Sequence, residues 1–206
     1  MRTKEKSTNI IYLRHGETDY PSNRIYCDDI EDPELNAKGL IQAESTATLF
    51  KSLELSAIYS SPAKRTRMTA SAVSDICGLS PKMLPEWVER RFGVWEGLYF
   101  KEIEDNFPSE YQKWKADMLR YTPDKGETIE DVKNRLDASL NRIISTHSGE
   151  NVLIVTHVGP IRICVCEAMN IPLENYRQIR IDHASKTQID YGETKNNLIY
   201  TNQYIY

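Results

Sequence analysis

Short apolar runs alternate along this chain with longer stretches in which apolar residues recur every three or four positions. Residues 9–13, Asn-Ile-Ile-Tyr-Leu, are mostly apolar and partly β-branched, and they break into Arg14-His15-Gly16, as a buried strand ending in a functional loop does. Residues 151–156, Asn-Val-Leu-Ile-Val-Thr, share that character and break into His157-Val158-Gly159-Pro160. Residues 57–60 read as another inner strand, and 186–191 and 197–201 as later ones. Helical patterns lie between them. They cover 37–51 with Asn36 as cap, 62–77 opened by Pro62, and an amphipathic stretch over 128–146 that carries Leu136, Leu140 and Ile143. There is no internal repeat or low-complexity linker.

Strands alternating with helices predict an α/β fold, a three-layer sandwich with a largely parallel sheet between helices on both faces. At 206 residues, one domain spanning 1–206 is the expectation. The segment 98–125 differs: it is rich in charge and aromatics, breaks at Phe107-Pro108 and Thr122-Pro123, and reads as a helical, lid-like insertion over the sheet's edge. In open α/β sheets ligands bind beyond the carboxyl ends of the strands, so His15 and His157 are expected at one edge despite their separation in sequence.

Composition narrows the partners. Hydrophobic residues at 40% and charged residues at 27% are the balance of a globular chain. Thirty acidic against 26 basic residues give a net charge of −4, which offers no general attraction for nucleic acid, so any bound anion must be captured by a local cluster. The polar, basic opening lacks the apolar run of a signal peptide and no later stretch reaches membrane-spanning length, which predicts a cytoplasmic protein with no membrane partner. Cys27, Cys77, Cys164 and Cys166 are scattered, which predicts reduced thiols and no metal site. The oligomeric state is left open, a homodimer being one option.

Arg14-His15-Gly16 carries candidate chemistry. A histidine that attacks phosphorus needs an unprotonated ring nitrogen, a cation for the phosphoryl oxygens and a backbone that lets a tetrahedral anion approach. Arg14 offers a fork of donors that matches phosphate, Gly16 offers the permissive backbone, and the neighbouring positive charge lowers the histidine's pKa. At Ser60-Ser61-Pro62 a strand ends and proline opens a helix, so Arg65 is expected one turn in, near the positive end of the helix dipole. The other reading of Arg65 is a surface arginine beside Lys64 and Arg67. A reaction of this kind also needs a carboxyl group near the scissile bond to protonate the leaving oxygen.

Leu13-Arg14-His15-Gly16-Glu17-Thr18, then Ser60-Ser61-Pro62-Ala63-Lys64-Arg65-Thr66, then Thr156-His157-Val158-Gly159 closely resemble, in order, the histidine phosphatase superfamily, also called phosphoglycerate mutase-like. The resemblance spans nearly the whole chain and implies that fold, with His15 as the residue that becomes phosphohistidine and Arg14, Arg65 and His157 around the phosphate. It implies no cofactor or metal, and a small phosphorylated metabolite as substrate. Residues 89–97, Glu-Arg-Arg-Phe-Gly-Val-Trp-Glu-Gly, resemble the family's acidic segment, which places Glu89 as general acid, with Glu86 and Glu96 as competitors. A glutamate beside two arginines is also the arrangement of a salt bridge. Where the family often has a phosphate-holding asparagine, this chain has Pro21. Asn23 is the candidate replacement and Arg24 a candidate for substrate recognition, an exposed loop arginine being the alternative. Gly126-Glu127-Thr128 resembles the family's Gly-Glu-Ser, although Thr128 with Asp131 also forms a capping box.

The segment 98–125 most resembles the phosphatase branch, especially alpha-ribazole phosphatase-like proteins. The expected activity is therefore a metal-independent phosphatase that hydrolyses a small phosphate monoester through a phosphohistidine. The alternatives are a phosphoglycerate mutase-type phosphotransferase and a non-catalytic phosphate-binding protein.

Overall fold

In the computed structural model, which describes residues 7–26 and 31–204, β1 (Thr8–Arg14) runs through the middle of a six-stranded sheet. It is flanked in parallel by β4 (Asn151–Thr156), which in turn pairs in parallel with β2 (Ala57–Ser60), and β2 with the two-residue edge strand β3 (Lys82–Met83). On the other side β5 (Lys186–Tyr191) and β6 (Asn196–Gln203) are antiparallel, giving the order β3-β2-β4-β1-β5-β6. The sheet is thus mixed: parallel through four strands and closed by an antiparallel hairpin. β3 is too short and too exposed to leave a hydrophobic pattern in the sequence.

Successive side chains of a strand point to opposite faces, so each inner strand feeds two cores. Ile11, Leu13, Ile58, Leu153 and Val155 pack against α1 (Ala37–Ala47) and α2 (Lys64–Cys77) through Ala47, Ala70 and Val73. Ile10, Tyr12, Val152 and Ile154 face the opposite way, onto α5 (Ile129–Thr146) and α6 (Val158–Met169). Three layers result. Truncating one such inner side chain, Leu153 for example, should cost about 2–5 kcal/mol, because transfer energy is lost and a cavity is left.

Asn36 caps α1 by accepting the Gly39 N–H at 2.8 Å, and the helix tightens into a 3-10 turn ending at Phe50. α5 opens on the reciprocal Thr128–Asp131 capping box. α2 starts at Lys64, two residues later than Pro62 suggests. Ala63 is still extended, at φ −59° and ψ 143°, and the Lys64 N–H donates to Asp32 Oδ1 at 2.8 Å. Arg65 is therefore the second residue of the helix, not one turn in. α6 was not anticipated: Ile161, Ile163, Cys164, Val165 and Cys166 are all buried, and a helix covered almost all round shows no amphipathic period.

Within 98–125, α3 (Phe100–Asn106) and α4 (Pro108–Ala116) form a small core of their own. Trp95 and Trp114 meet edge to face with centroids 5.9 Å apart, joined by Ile25 and Ile103. No helix among the described residues is long and apolar enough to cross a membrane. Cys77, Cys164 and Cys166 are unpaired thiols, while Cys27 lies outside the described residues.

Candidate active site

Register brings the two histidines together. Arg14 pairs with Thr156 across the parallel β1–β4 ladder, and neighbouring strands lie about 4.8 Å apart, so the next residues, His15 and His157, leave the sheet side by side. Their rings are 5.3 Å apart and both are buried. The adjacent end of β2 delivers Ser61, and the first turn of α2 delivers Arg65.

The hydrogen bonds fix the tautomers. A carbonyl only accepts, so His15 Nδ1 must donate to Gly16 O at 2.8 Å, which leaves the Nε2 lone pair available. Arginine only donates, so His157 Nδ1 accepts from Arg65 Nη2 at 3.0 Å, and its Nε2–H donates to Ser61 Oγ at 2.9 Å. Burial first, then Arg65 and Arg14, push the His15 pKa well below its usual value; burial, Arg65 and His15 do the same for His157. Both rings are thereby held neutral. The loop is pinned through Thr69, whose Oγ1 accepts the Gly16 N–H at 3.1 Å and donates to Arg65 O at 2.8 Å. A side chain at Gly16 would run into the Gly39 carbonyl of α1, so this close approach requires glycine.

Arg14 donates Nη1 to Ile181 O and Nη2 to His183 Nε2, both at 2.7 Å. Its Nε is buried with no hydrogen-bond partner among the described residues. An orphaned arginine donor beside a neutral imidazole fits an oxyanion such as a phosphoryl group. The Arg65 guanidinium lies 4.3 Å from the Tyr26 ring centroid, a cation–π contact that holds it over the site.

Glu89 enters from the segment after β3. Its Oε1 accepts the Arg90 N–H at 2.9 Å, and its Oε2 accepts the Gly159 N–H, at the start of α6, at 3.2 Å. Arg135 of α5 locks this segment by donating to the carbonyls of Glu86, Val88 (3.0 Å) and Glu89 (3.1 Å), while pairing with Glu127 at 2.8 Å. Of the competing glutamates, Glu86 turns away to Arg142 at 2.5 Å, and Glu96 accepts the Phe92 N–H at 2.9 Å. Only Glu89 of the three lines the adjacent cavity of about 200 Å³, which runs beneath α3 and α4 between Tyr26, Phe92, Trp114 and Tyr176.

The expectations for the following loop divide. Arg24 lines that cavity, but its guanidinium is engaged, donating to Gly97 O at 2.6 Å and forming a two-pronged pair with Glu31 at 2.8 Å. Asn23 sits exposed in a turn and outside the cavity lining, where Pro21 and Ser22 stand instead.

His183 escaped the sequence reading. Because β5 runs antiparallel, its beginning meets the carboxyl end of β1, and the His183 ring lies 5.4 Å from that of His15. The Ala184 N–H donates to His15 O at 3.1 Å. Burial and Arg14 push the His183 pKa down to about 4. A search for histidines after apolar runs could not find one that precedes a strand. Among the described residues, no cluster of three or more His, Cys, Asp or Glu side chains is placed to hold a metal ion.

Comparison with known proteins agrees with this geometry. The histidine phosphatase superfamily (branch 1) profile matches residues 10–203. The chain is 27% identical over 194 residues to phosphoserine phosphatase 1 of Hydrogenobacter thermophilus, covering 94% of this chain and 91% of that protein. It is 30% identical over 190 residues to a probable phosphoglycerate mutase of Escherichia fergusonii, covering 90% and 86%. The crystal structure of the alpha-ribazole phosphatase from Shigella flexneri superposes with a TM-score of 0.86 at 25% identity, covering 95% of this chain and 96% of that one. With its two histidines, two arginines and glutamate drawn to one sheet edge and the profile spanning almost its full length, this chain belongs to the histidine phosphatase superfamily (branch 1).

Proposed function

We propose that this chain hydrolyses small phosphate monoesters through a phosphohistidine on His15. The observation that carries the reading is the state of His15: buried, neutral, with Nδ1 tied to Gly16 O and Nε2 available between Arg14 and Arg65. Nε2 attacks phosphorus in line, and the P–O bond to the alcohol breaks. Arg14, Arg65 and His157 surround the phosphoryl oxygens, and Glu89 gives its proton to the departing oxygen. Water then attacks the phosphohistidine while Glu89 takes up a proton. The P–N bond breaks, phosphate leaves and His15 returns to its neutral form. The negative charge on the phosphoryl oxygens in the transition state is met by arginines, so the scheme calls for no metal. α3 and α4, in a single domain with the sheet, act as the cover over the alcohol part of the substrate.

Relatives named as phosphatases of phosphoserine and alpha-ribazole support a small phosphate ester as substrate. The probable phosphoglycerate mutase among the relatives favours a second reading, in which the phosphoryl group returns to another hydroxyl of the substrate. Rapid mixing with para-nitrophenyl phosphate and quenching in alkali should trap base-stable, acid-labile phosphate on His15, followed by release of one inorganic phosphate per nitrophenol. Label on a serine, or none in a single turnover, would remove His15 as nucleophile. Phosphoryl transfer to an added alcohol that outruns release to water would favour the mutase reading.

A further inference from the structure

The cavity beside Glu89 holds a cation that the phosphatase chemistry does not use. Arg162 is the fifth residue of α6, half-buried, and lines the same cavity as Glu89 and Gly159. Its Nε donates to Ile179 O at 2.7 Å, which fixes the plane and direction of the guanidinium. The two terminal nitrogens make no hydrogen bond with the described residues. The other arginines of this cavity are committed elsewhere. Arg90 donates to the carbonyls of Glu127, Met118 and Tyr121, Arg24 to Glu31 and Gly97, and Arg177 lies exposed over Trp114.

Position gives Arg162 its meaning. Gly159, whose N–H holds Glu89, precedes it by three residues, so the two share a face of α6 and are offset by about 4.5 Å along the axis. No ion pair of 4 Å or less joins Arg162 to Glu89. An alcohol leaving from the Glu89 side would therefore extend toward Arg162, past the walls of Phe92, Val158, Trp114 and Tyr176. A rigid, half-desolvated fork with two free prongs matches a planar anion, and a carboxylate accepts both prongs at once. In a space of about 200 Å³, a carboxylate is also a smaller anion to seat than a second phosphate.

Building on the phosphatase reading, we propose that Arg162 is a specificity-determining residue that binds a carboxylate on the alcohol part of the substrate. The preferred esters join phosphate to an apolar, acid-bearing alcohol.

The test uses two probes that differ only in that charge, 4-carboxyphenyl phosphate and 4-carbamoylphenyl phosphate. The intact protein should favour the carboxylate by about tenfold or more in kcat/KM, most of it in KM. In Arg162→Gln that preference should collapse to near unity, and in Arg162→Lys, which keeps charge but loses the fork, it should fall part of the way. Equal kcat/KM for the two probes in the unaltered protein would overturn the proposal whether or not the variants fold. So would an unchanged preference in Arg162→Gln with both rates lowered alike, the mark of a residue acting only on Glu89. Failure to hydrolyse either probe, with no phosphohistidine formed, would instead sink the phosphatase reading on which it rests.

Discussion

Gly159 and Glu89 leave no room between them. The Gly159 N–H donates to Glu89 Oε2 at 3.2 Å, and a Cβ built on Gly159 would overlap Oε1 of the same carboxyl. The glutamate is thus seated on the first turn of α6, where the helix dipole and a backbone donor converge, only because position 159 has no side chain.

Gly159→Ala should therefore act like damage to Glu89 itself. Expelling the carboxyl should lower the phosphorylation rate of an alkyl phosphate by roughly a hundredfold, the scale of lost general acid catalysis. Para-nitrophenyl phosphate, whose leaving group needs little protonation, should lose far less. Single-turnover rates for the two esters in Gly159→Ala and Glu89→Gln provide the check. If both esters slow by the same factor in Glu89→Gln, Glu89 positions the substrate and does not protonate it.

Arg14→Ala and Arg65→Ala should each reduce turnover by roughly a hundredfold to a thousandfold, as expected when a charge clamp on a transition state is removed. Lys64→Ala is the control. Lys64 neighbours Arg65 in sequence, but its side chain pairs at 3.4 Å with Glu34 on the exposed surface, and such pairs contribute little. Similar modest losses at all three positions would mean that the phosphate is held elsewhere.

Stability should fall as pH is lowered through the histidine range. His15, His157 and His183 all have folded pKa values below their unfolded ones, with burial as the largest cause in each. Between those values the unfolded chain binds more protons than the folded one. The stabilisation is complete above the unfolded pKa of about 6.5 and is lost as pH falls toward the folded values. For His183 that window ends at about 4. Tm should therefore drop between about pH 7 and about pH 5, before most carboxylates titrate. His183→Asn should flatten that slope, since asparagine can accept from Arg14 without taking a proton. A Tm independent of pH over this range would contradict the neutral assignment of these rings.

Turnover should survive excess chelator and change only modestly with added magnesium, because Arg14, Arg65 and His157 meet the charge that a divalent ion meets elsewhere. Inactivation by chelator, reversed by one particular metal, would require a different scheme.

Much of the fold can be read from the chain because its inner strands are dense in β-branched and aliphatic residues and each breaks abruptly into polar chemistry. Both histidines, Arg14 and the layer order follow from that pattern. α6 does not, since a buried helix lacks a polar face, nor does the start of α2, set by a hydrogen bond from Lys64 to the distant Asp32. The different settings of Glu86 and Glu89 likewise come from remote partners, with Arg142 drawing Glu86 away and Gly159 donating to Glu89.

The sequence by itself determined which side chains could do phosphoryl chemistry and which strands would carry them, because a strand's apolar pattern and the loop that ends it are local properties. Only the tertiary structure decided what stands around His15. The direction of β5 brings in His183, the register of β1 with β4 sets the rings of His15 and His157 side by side, and the first two turns of α6 place Gly159 and Arg162 along one cavity. These are relations between elements far apart in the chain, fixed by hydrogen-bond ladders and packing that no local stretch of sequence encodes.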